Sequence, residues 1–124
     1  AWVNKGISFT ELGMHEDAIK SYNRALEIDP KNIFAWSNMG ARLDHLGKHE
    51  DALKCYNRAL QIEPVFSPAI YNKGLCLHEM GKISEAKEYI EKARKIDPNL
   101  PRPSFKKDKT GKLPLKAPDQ LRRS

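Results

Sequence analysis

The sequence holds no apolar run approaching the roughly 18 residues needed to cross a bilayer, so no membrane span is expected. Its opening, AWVNKG, has neither a basic n-region nor an apolar h-region and does not read as a signal peptide. There are only two cysteines, Cys55 and Cys76, without CxxC spacing. That argues against a disulfide framework and favours buried or half-buried thiols in a reducing compartment, with the cytoplasm as the default location. No glycine-rich loop of the phosphate-cradling kind is present. Among the four histidines, His45 and His49 stand four apart, but Gly47 lies between them and breaks the helix that a metal-binding pair would need. No Cys/His/carboxylate cluster with metal-ligand spacing remains. The expectation is therefore no metal, no cofactor, no catalytic constellation, and no enzyme activity in this segment.

An excess of charge of either sign is also missing from most of the chain. The formal net charge is +6, yet residues 1–98 hold fourteen Lys/Arg and fourteen Asp/Glu, which cancel. Residues 99–124 hold eight basic and two acidic residues, so the whole surplus is in the tail. This is a neutral domain followed by a basic segment.

The chain is rich in self-similarity at a period of 34 residues. Trp2, Trp36 and Ile70 correspond, as do Gly6, Gly40 and Gly74, then Gly13, Gly47 and Gly81. Further along each copy come Ala18, Ala52 and Ala86, then Ala25, Ala59 and Ala93, and finally Pro30, Pro64 and Pro98. A fixed period outranks any local reading of structure. In the middle copy, Trp36, Met39, Gly40, Leu43 and Leu46 fall on one helical stripe, and Gly47 ends that helix where positive φ is cheapest. Ala52, Leu53, Tyr56, Ala59, Leu60 and Ile62 form the stripe of a second helix that stops before Pro64. Gly40, Ala52 and Ala59 let the two backbones approach, while Trp36 and Tyr56 fill the spaces. The third copy starts with Ser67 as expected N-cap and Pro68 at the first helical position.

W-x2-M-G-x2-L, then A-x3-Y, then Pro64, on this period, resembles the tetratricopeptide repeat (TPR). The first copy reads W-x2-K-G-x2-F and the third I-x2-K-G-x2-L; Lys5 and Lys73 replace the usual Leu, and Ile70 and Ile90 replace aromatics. The resemblance implies an all-α, right-handed superhelix of three helix-turn-helix units. The units are 1–32, lacking the opening residues of its first helix, 33–66, and 67–98; a basic Pro- and Lys-rich tail, 99–124, is expected to be mobile. The first helix of each unit would line a concave groove. In copy three, Lys87 and Arg94 stand where copy two has Leu53 and Leu60, so that outer face reads as a solvated C-terminal end. The N-terminal face is not so adapted. Further repeats or a domain before residue 1 are expected, together with self-association through the Trp2 face.

One polar feature rises above the packing pattern. Asn4, Asn38 and Asn72 recur two residues before the packing glycine, about 200° round the helix from it, on the groove side by the TPR analogy. An amide donates and accepts, so it can pair with the main chain of any peptide. O-linked N-acetylglucosamine transferases, built partly on such repeats, hold extended peptide with an asparagine ladder, and the resemblance implies a similar role here. Helical spacing adds Val3, Ile7, Thr10 and Glu11, then Phe34, Ser37, Ala41, Asp44 and His45, then Tyr71, Leu75, His78 and Glu79 to the groove lining. Glu11, Asp44 and Glu79 would form an acidic edge or be ordinary solvated positions.

Partners follow from these features. The leading expectation is a protein-interaction scaffold for an extended peptide. Alternatives are the substrate-presenting arm of a larger enzyme such as a glycosyltransferase, and nucleic-acid or anionic-membrane binding through Lys106, Lys107, Lys109, Lys112, Lys116, Arg122 and Arg123. Other readings of the tail are a solubilising segment and one that folds back into the acidic-edged groove of its own or a neighbouring chain. The carboxylate clamp with which TPR co-chaperones grip chaperone tails needs Lys and Arg. At the matching places stand Val3, Ile7, Asn38, Pro68 and Asn72, so no such clamp is expected.

Overall fold

The computed structural model describes residues 1–102. Six helices follow one another, α1 (Trp2–Glu11), α2 (His15–Ile28), α3 (Ile33–His45), α4 (His49–Ile62), α5 (Ser67–Glu79) and α6 (Ile83–Ile96). No strand occurs among the described residues. They pack as three antiparallel pairs, α1 with α2, α3 with α4 and α5 with α6, and each second helix also packs on the first helix of the next pair. The first helices touch one another as well, α1 with α3 and α3 with α5. The result is an all-α solenoid.

Each pair is closed by the same local device. Gly13, Gly47 and Gly81 have φ of +75°, +79° and +85°, where an L side chain is strained. That left-handed residue lets the next amide reach back: Met14 N–H to the Phe9 carbonyl at 2.8 Å, Lys48 to Leu43 and Lys82 to Leu77, each at 2.9 Å. These are the 6→1 bonds of a Schellman ending, which satisfy carbonyls the helix leaves open. The second helices begin without a side-chain cap but carry Glu16 and Asp17, Glu50 and Asp51, or Glu85 in their first turn, where the helix dipole favours anions. Asn32 caps α3 by accepting from the Ala35 amide at 3.1 Å. The third copy departs slightly from expectation. Phe66, not Ser67, is its N-cap residue, and Ser67 is already helical, because Phe66 is the last residue with extended backbone.

The core follows from the small residues. A Cβ on Gly40 would stand 2.6 Å from Tyr56 Cε1, and one on Gly74 would stand 2.7 Å from Ile90 Cγ1 and 3.1 Å from the Ala86 carbonyl oxygen. Gly40 is therefore what lets the buried Tyr56 ring lie flat against α3. Ala18, Ala52, Ala86, Ala59 and Ala93 are fully buried where α-helices approach most closely. The two lysines in place of Leu find aromatic faces instead. Lys5 lies over Trp2, and Lys73 lies 4.5 Å over Tyr89 while its Nζ donates to Asn57 Oδ1 at 2.7 Å.

The C-terminal end continues the register for a few residues. Leu100, 34 after Phe66, packs against the cluster of Ile70, Tyr71, Leu75 and Ile90, next to Leu60. Arg94 is half-buried and donates from Nε to the Leu100 carbonyl at 3.0 Å, whereas Lys87 is exposed. The polar end face is thus partly covered by the chain that leaves it. The remainder of the basic tail, including Phe105 and its lysines, lies outside the described residues. Among those described, no helix is long and apolar enough to cross a membrane.

Candidate peptide-binding face

The first helices present matching rows of residues. Val3, Ser37 and Tyr71 make one row, Asn4, Asn38 and Asn72 the next, Ile7, Ala41 and Leu75 a third, and Thr10, Asp44 and His78 a fourth. Burial changes along each row. Asn4 is exposed, whereas Asn38 and Asn72 keep 1% and 4% of their surface. The spacing leads one to expect three open rungs, and the structure leaves one. Asn38 lies on α3, which is flanked by α1 and α5, and Asn72 lies on α5 next to Tyr71, whose hydroxyl meets the Pro101 carbonyl of the departing chain. Asn38, moreover, is already engaged in a polar contact.

Val3 and Ile7 are also placed differently from the expected lining. They are buried in one core cluster with Tyr22, Ala35 and Met39, because an apolar residue beside the next repeat gains more from that burial than from an open groove. Ala41 and Leu75 are buried too, at 5% and 2%. Phe34 is half-buried and meets the Phe66 ring edge-on at a centroid distance of 5.4 Å.

The Val3–Ser37–Tyr71 row carries the most informative geometry. Tyr71 is buried, and its hydroxyl donates to the Pro101 carbonyl at 2.8 Å. Burial pushes the phenol pKa up, against a smaller lowering by Arg94, so the group stays a protonated donor. Together with the Arg94 bond to Leu100, two successive main-chain carbonyls are each taken by a side chain. At the matching place one repeat earlier, Ser37 Oγ is buried and has no hydrogen-bond partner among the described residues.

The expected acidic edge does not stay together. Glu11 is exposed on α1, while Asp44 is buried and Glu79 half-buried. Asp44 Oδ1 pairs with His49 Nδ1, and Glu79 Oε2 lies 3.6 Å from His49 Nε2. His45, exposed at the end of α3, stacks on His15 with centroids 5.2 Å apart and planes at 11°. His78 is buried in the middle of α5's last turns and is engaged. His49, Cys76 and Arg42 belong to this region although the sequence reading left them out. Cys76 and His49 are 27 residues apart, and no local spacing announces their contact. The only signal is periodic: Arg42 and His15, one repeat earlier, are 27 apart and also touch.

The family model described as tetratricopeptide repeat matches residues 1–32, 33–66 and 67–100. The first TPR domain of Spaghetti (RPAP3), bound to the HSP90 peptide SRMEEVD, is similar with a TM-score of 0.76 at 24% identity, over 80% of this chain and 79% of that one. The second TPR domain of the same protein, bound to the same peptide, gives 0.74 at 26% identity, over 77% and 89%. MamA gives 0.71 at 26% identity, over 78% of this chain and 53% of its own. No match is found among curated proteins. A helix pair closed by a positive-φ glycine and locked by a glycine against the facing side chain, repeated in register through every matched span, places this chain in the tetratricopeptide repeat family.

Proposed function

We propose that the chain is a protein-interaction scaffold that holds an extended peptide by its main chain along the first-helix face. The observation that carries this reading is Tyr71 of α5, whose hydroxyl grips the Pro101 carbonyl, with Arg94 of α6 holding the preceding Leu100 carbonyl beside that face. These side chains take hold of backbone, not of side chains, in a segment that contains proline and runs without helix. Ser37 holds the matching place one repeat earlier, where its hydroxyl is fully buried and open to no peptide. Exposed Asn4 offers an amide beyond it. A peptide bound in this way needs little sequence of its own, because each contact is to an amide or carbonyl that every residue has.

Peptide-bound relatives support a peptide as the partner. The similar second domain of RPAP3 carries SRMEEVD. The expectation that no carboxylate clamp operates in this chain draws no support from such neighbours, which makes that peptide a direct probe. The test is a fluorescence-anisotropy titration of SRMEEVD and of peptides selected from a display library against the full chain. A bound peptide should lose about 2- to 12-fold in affinity for each removed main-chain hydrogen bond, the equivalent of ~0.5–1.5 kcal/mol. Asn4→Ala, at the exposed rung, and the triple Asn4→Ala, Asn38→Ala, Asn72→Ala variant are the arms. Undiminished binding by both variants rules the reading out.

A further inference from the structure

His49, at the start of α4, stands at the junction of the second and third repeats. Its Nδ1 faces Asp44 at the end of α3, its Nε2 faces Glu79 on α5, and its main-chain carbonyl accepts from the Cys76 thiol at 3.5 Å. The ligand-type atoms of Asp44, His49 and Cys76 all lie within 4.8 Å of one another. Asp44 and Cys76 are buried, at 5% and 0% exposure. Three helices thus deliver a carboxylate, an imidazole and a thiol to one point.

The first junction supplies an internal comparison. Its residues 34 positions earlier are Thr10, His15, Arg42 and His45. There the imidazole of His15 meets Arg42 Nη1 at 2.9 Å and stacks on His45. The same niche in the same fold therefore holds an imidazole twice. At the first junction it is held by a guanidinium, which repels a cation, and stacks on a second imidazole. At the second it is walled by two carboxylates and a thiol, which attract one.

We propose that Asp44, His49 and Cys76 form a binding site for a divalent transition-metal ion of the zinc class, which pins the third repeat to the second. Thiolate, imidazole and carboxylate together suit a borderline-soft ion such as Zn²⁺, and do not suit Mg²⁺ or Ca²⁺, which take oxygen ligands. Metal–ligand bonds of about 2.0–2.3 Å set donors roughly 3.5 Å apart, so the niche contracts by about an ångström at its widest and the Asp44–His49 bond gives way to the ion. Three bonds form, from the Asp44 carboxylate oxygen, His49 Nδ1 and Cys76 Sγ, and the Cys76 thiol proton leaves to solvent. The ion's two positive charges meet one carboxylate and one thiolate, so the buried centre is neutral. The remaining imidazole proton sits on Nε2, where Glu79 accepts it, the carboxylate–histidine arrangement that fixes a ligand's tautomer. Side chains of His49 and Glu79 keep 27% and 17% of their surface, which leaves a path for the ion and room for a water as fourth ligand.

Co²⁺ and Zn²⁺, added separately to the reduced, metal-free full chain, test this. Co²⁺ should bind at one equivalent, with a thiolate-to-cobalt charge-transfer band and visible bands of tetrahedral intensity. The charge-transfer band should vanish in Cys76→Ala and persist in Cys55→Ser and His15→Gln. Zn²⁺ should raise the thermal midpoint of the unsubstituted chain and of His15→Gln, and leave that of Asp44→Asn unmoved. Because a change at fully buried Cys76 can disturb folding, Asp44→Asn and His49→Gln, checked by far-ultraviolet circular dichroism, carry the same test at less buried groups. Each should weaken Co²⁺ at least 10-fold, and Glu79→Gln about 10-fold. Absence of a thiolate band, its transfer to Cys55, or undiminished Co²⁺ affinity in folded Asp44→Asn and His49→Gln overturns the proposal.

Discussion

The two junctions of this solenoid share backbone geometry and differ in chemistry. Both are built where a second helix starts beside the next repeat's first helix, and both place a histidine there. Arg42 fills the first niche and is 3% exposed; Cys76 fills the second and has no exposed surface. A long cationic side chain and a short thiol occupy the same register position because the residues around them differ. Arg42 meets His15, which stacks on His45, whereas Cys76 gathers with Asp44 and His49, and His49 faces Glu79. Repetition fixes where side chains meet, and substitution within the repeat decides what they do on meeting.

That contrast can be broken by exchange. Of the two junctions, the larger effect is expected from Arg42→Ala, which leaves a cavity and removes a bond to His15; it should destabilise the chain by about 2 kcal/mol in urea denaturation. Cys76→Ala, which deletes a single heavy atom, should cost nearer ~1 kcal/mol. Equal losses at the two sites would show that the junctions bear load alike, against the comparison. Gly40→Ala forces a methyl against the Tyr56 ring and should cost about 1–3 kcal/mol, with no effect on Co²⁺ binding. Its effect isolates packing within a repeat from chemistry between repeats. Gly13→Ala and Gly47→Ala should each cost about 1 kcal/mol and agree with one another, because both glycines have nearly the same φ and no atom within 4 Å of an added Cβ.

The sharpest exchange moves the chemistry. Thr10→Asp with Arg42→Cys rebuilds the second junction's donor set around His15, and should raise the Co²⁺ stoichiometry of the chain from one to two. A stoichiometry that stays at one would mean that the helices of the first junction hold those donors in a different geometry. The smallest expected effect concerns the remaining thiol. Burial, with Asp51 adding to it, pushes Cys55 up to about 12, so the group is a neutral thiol throughout the physiological range. In the native chain it should react with an aromatic disulfide reagent far more slowly than in the urea-unfolded chain, a difference read directly from the release kinetics.

How much of this was legible beforehand differs from residue to residue. Gly47 at the helix ending, and Gly40 with Tyr56 at the closest approach, could be read from sequence, since each depends on contacts within one repeat. The burial of Cys55 and Cys76 followed from the helical stripes. Asn38 was harder. Its helical angle placed it on the groove side, yet its exposure depends on what stacks to either side, and α1 and α5 both touch α3. Val3 and Ile7 were misplaced for the same reason, since a side chain at the margin between groove and neighbour goes to the neighbour when it is apolar. The His45–His49 spacing argues against a metal-binding pair on one helix. That argument was sound for those two residues, which do lie on different helices. It did not reach His49 and Cys76, whose meeting depends on the docking of one repeat on the next.

The sequence by itself determined the period, the six helices, the positive-φ turns and the family, because all of these arise from contacts within a repeat and then recur. Tertiary structure alone decided which rung of the asparagine row is open, that Tyr71 and Arg94 hold the carbonyls of Pro101 and Leu100, and that Asp44, His49 and Cys76 converge. Those outcomes depend on how one repeat seats on the next. Identical positions in the repeat then acquire different neighbours, and with them different chemistry.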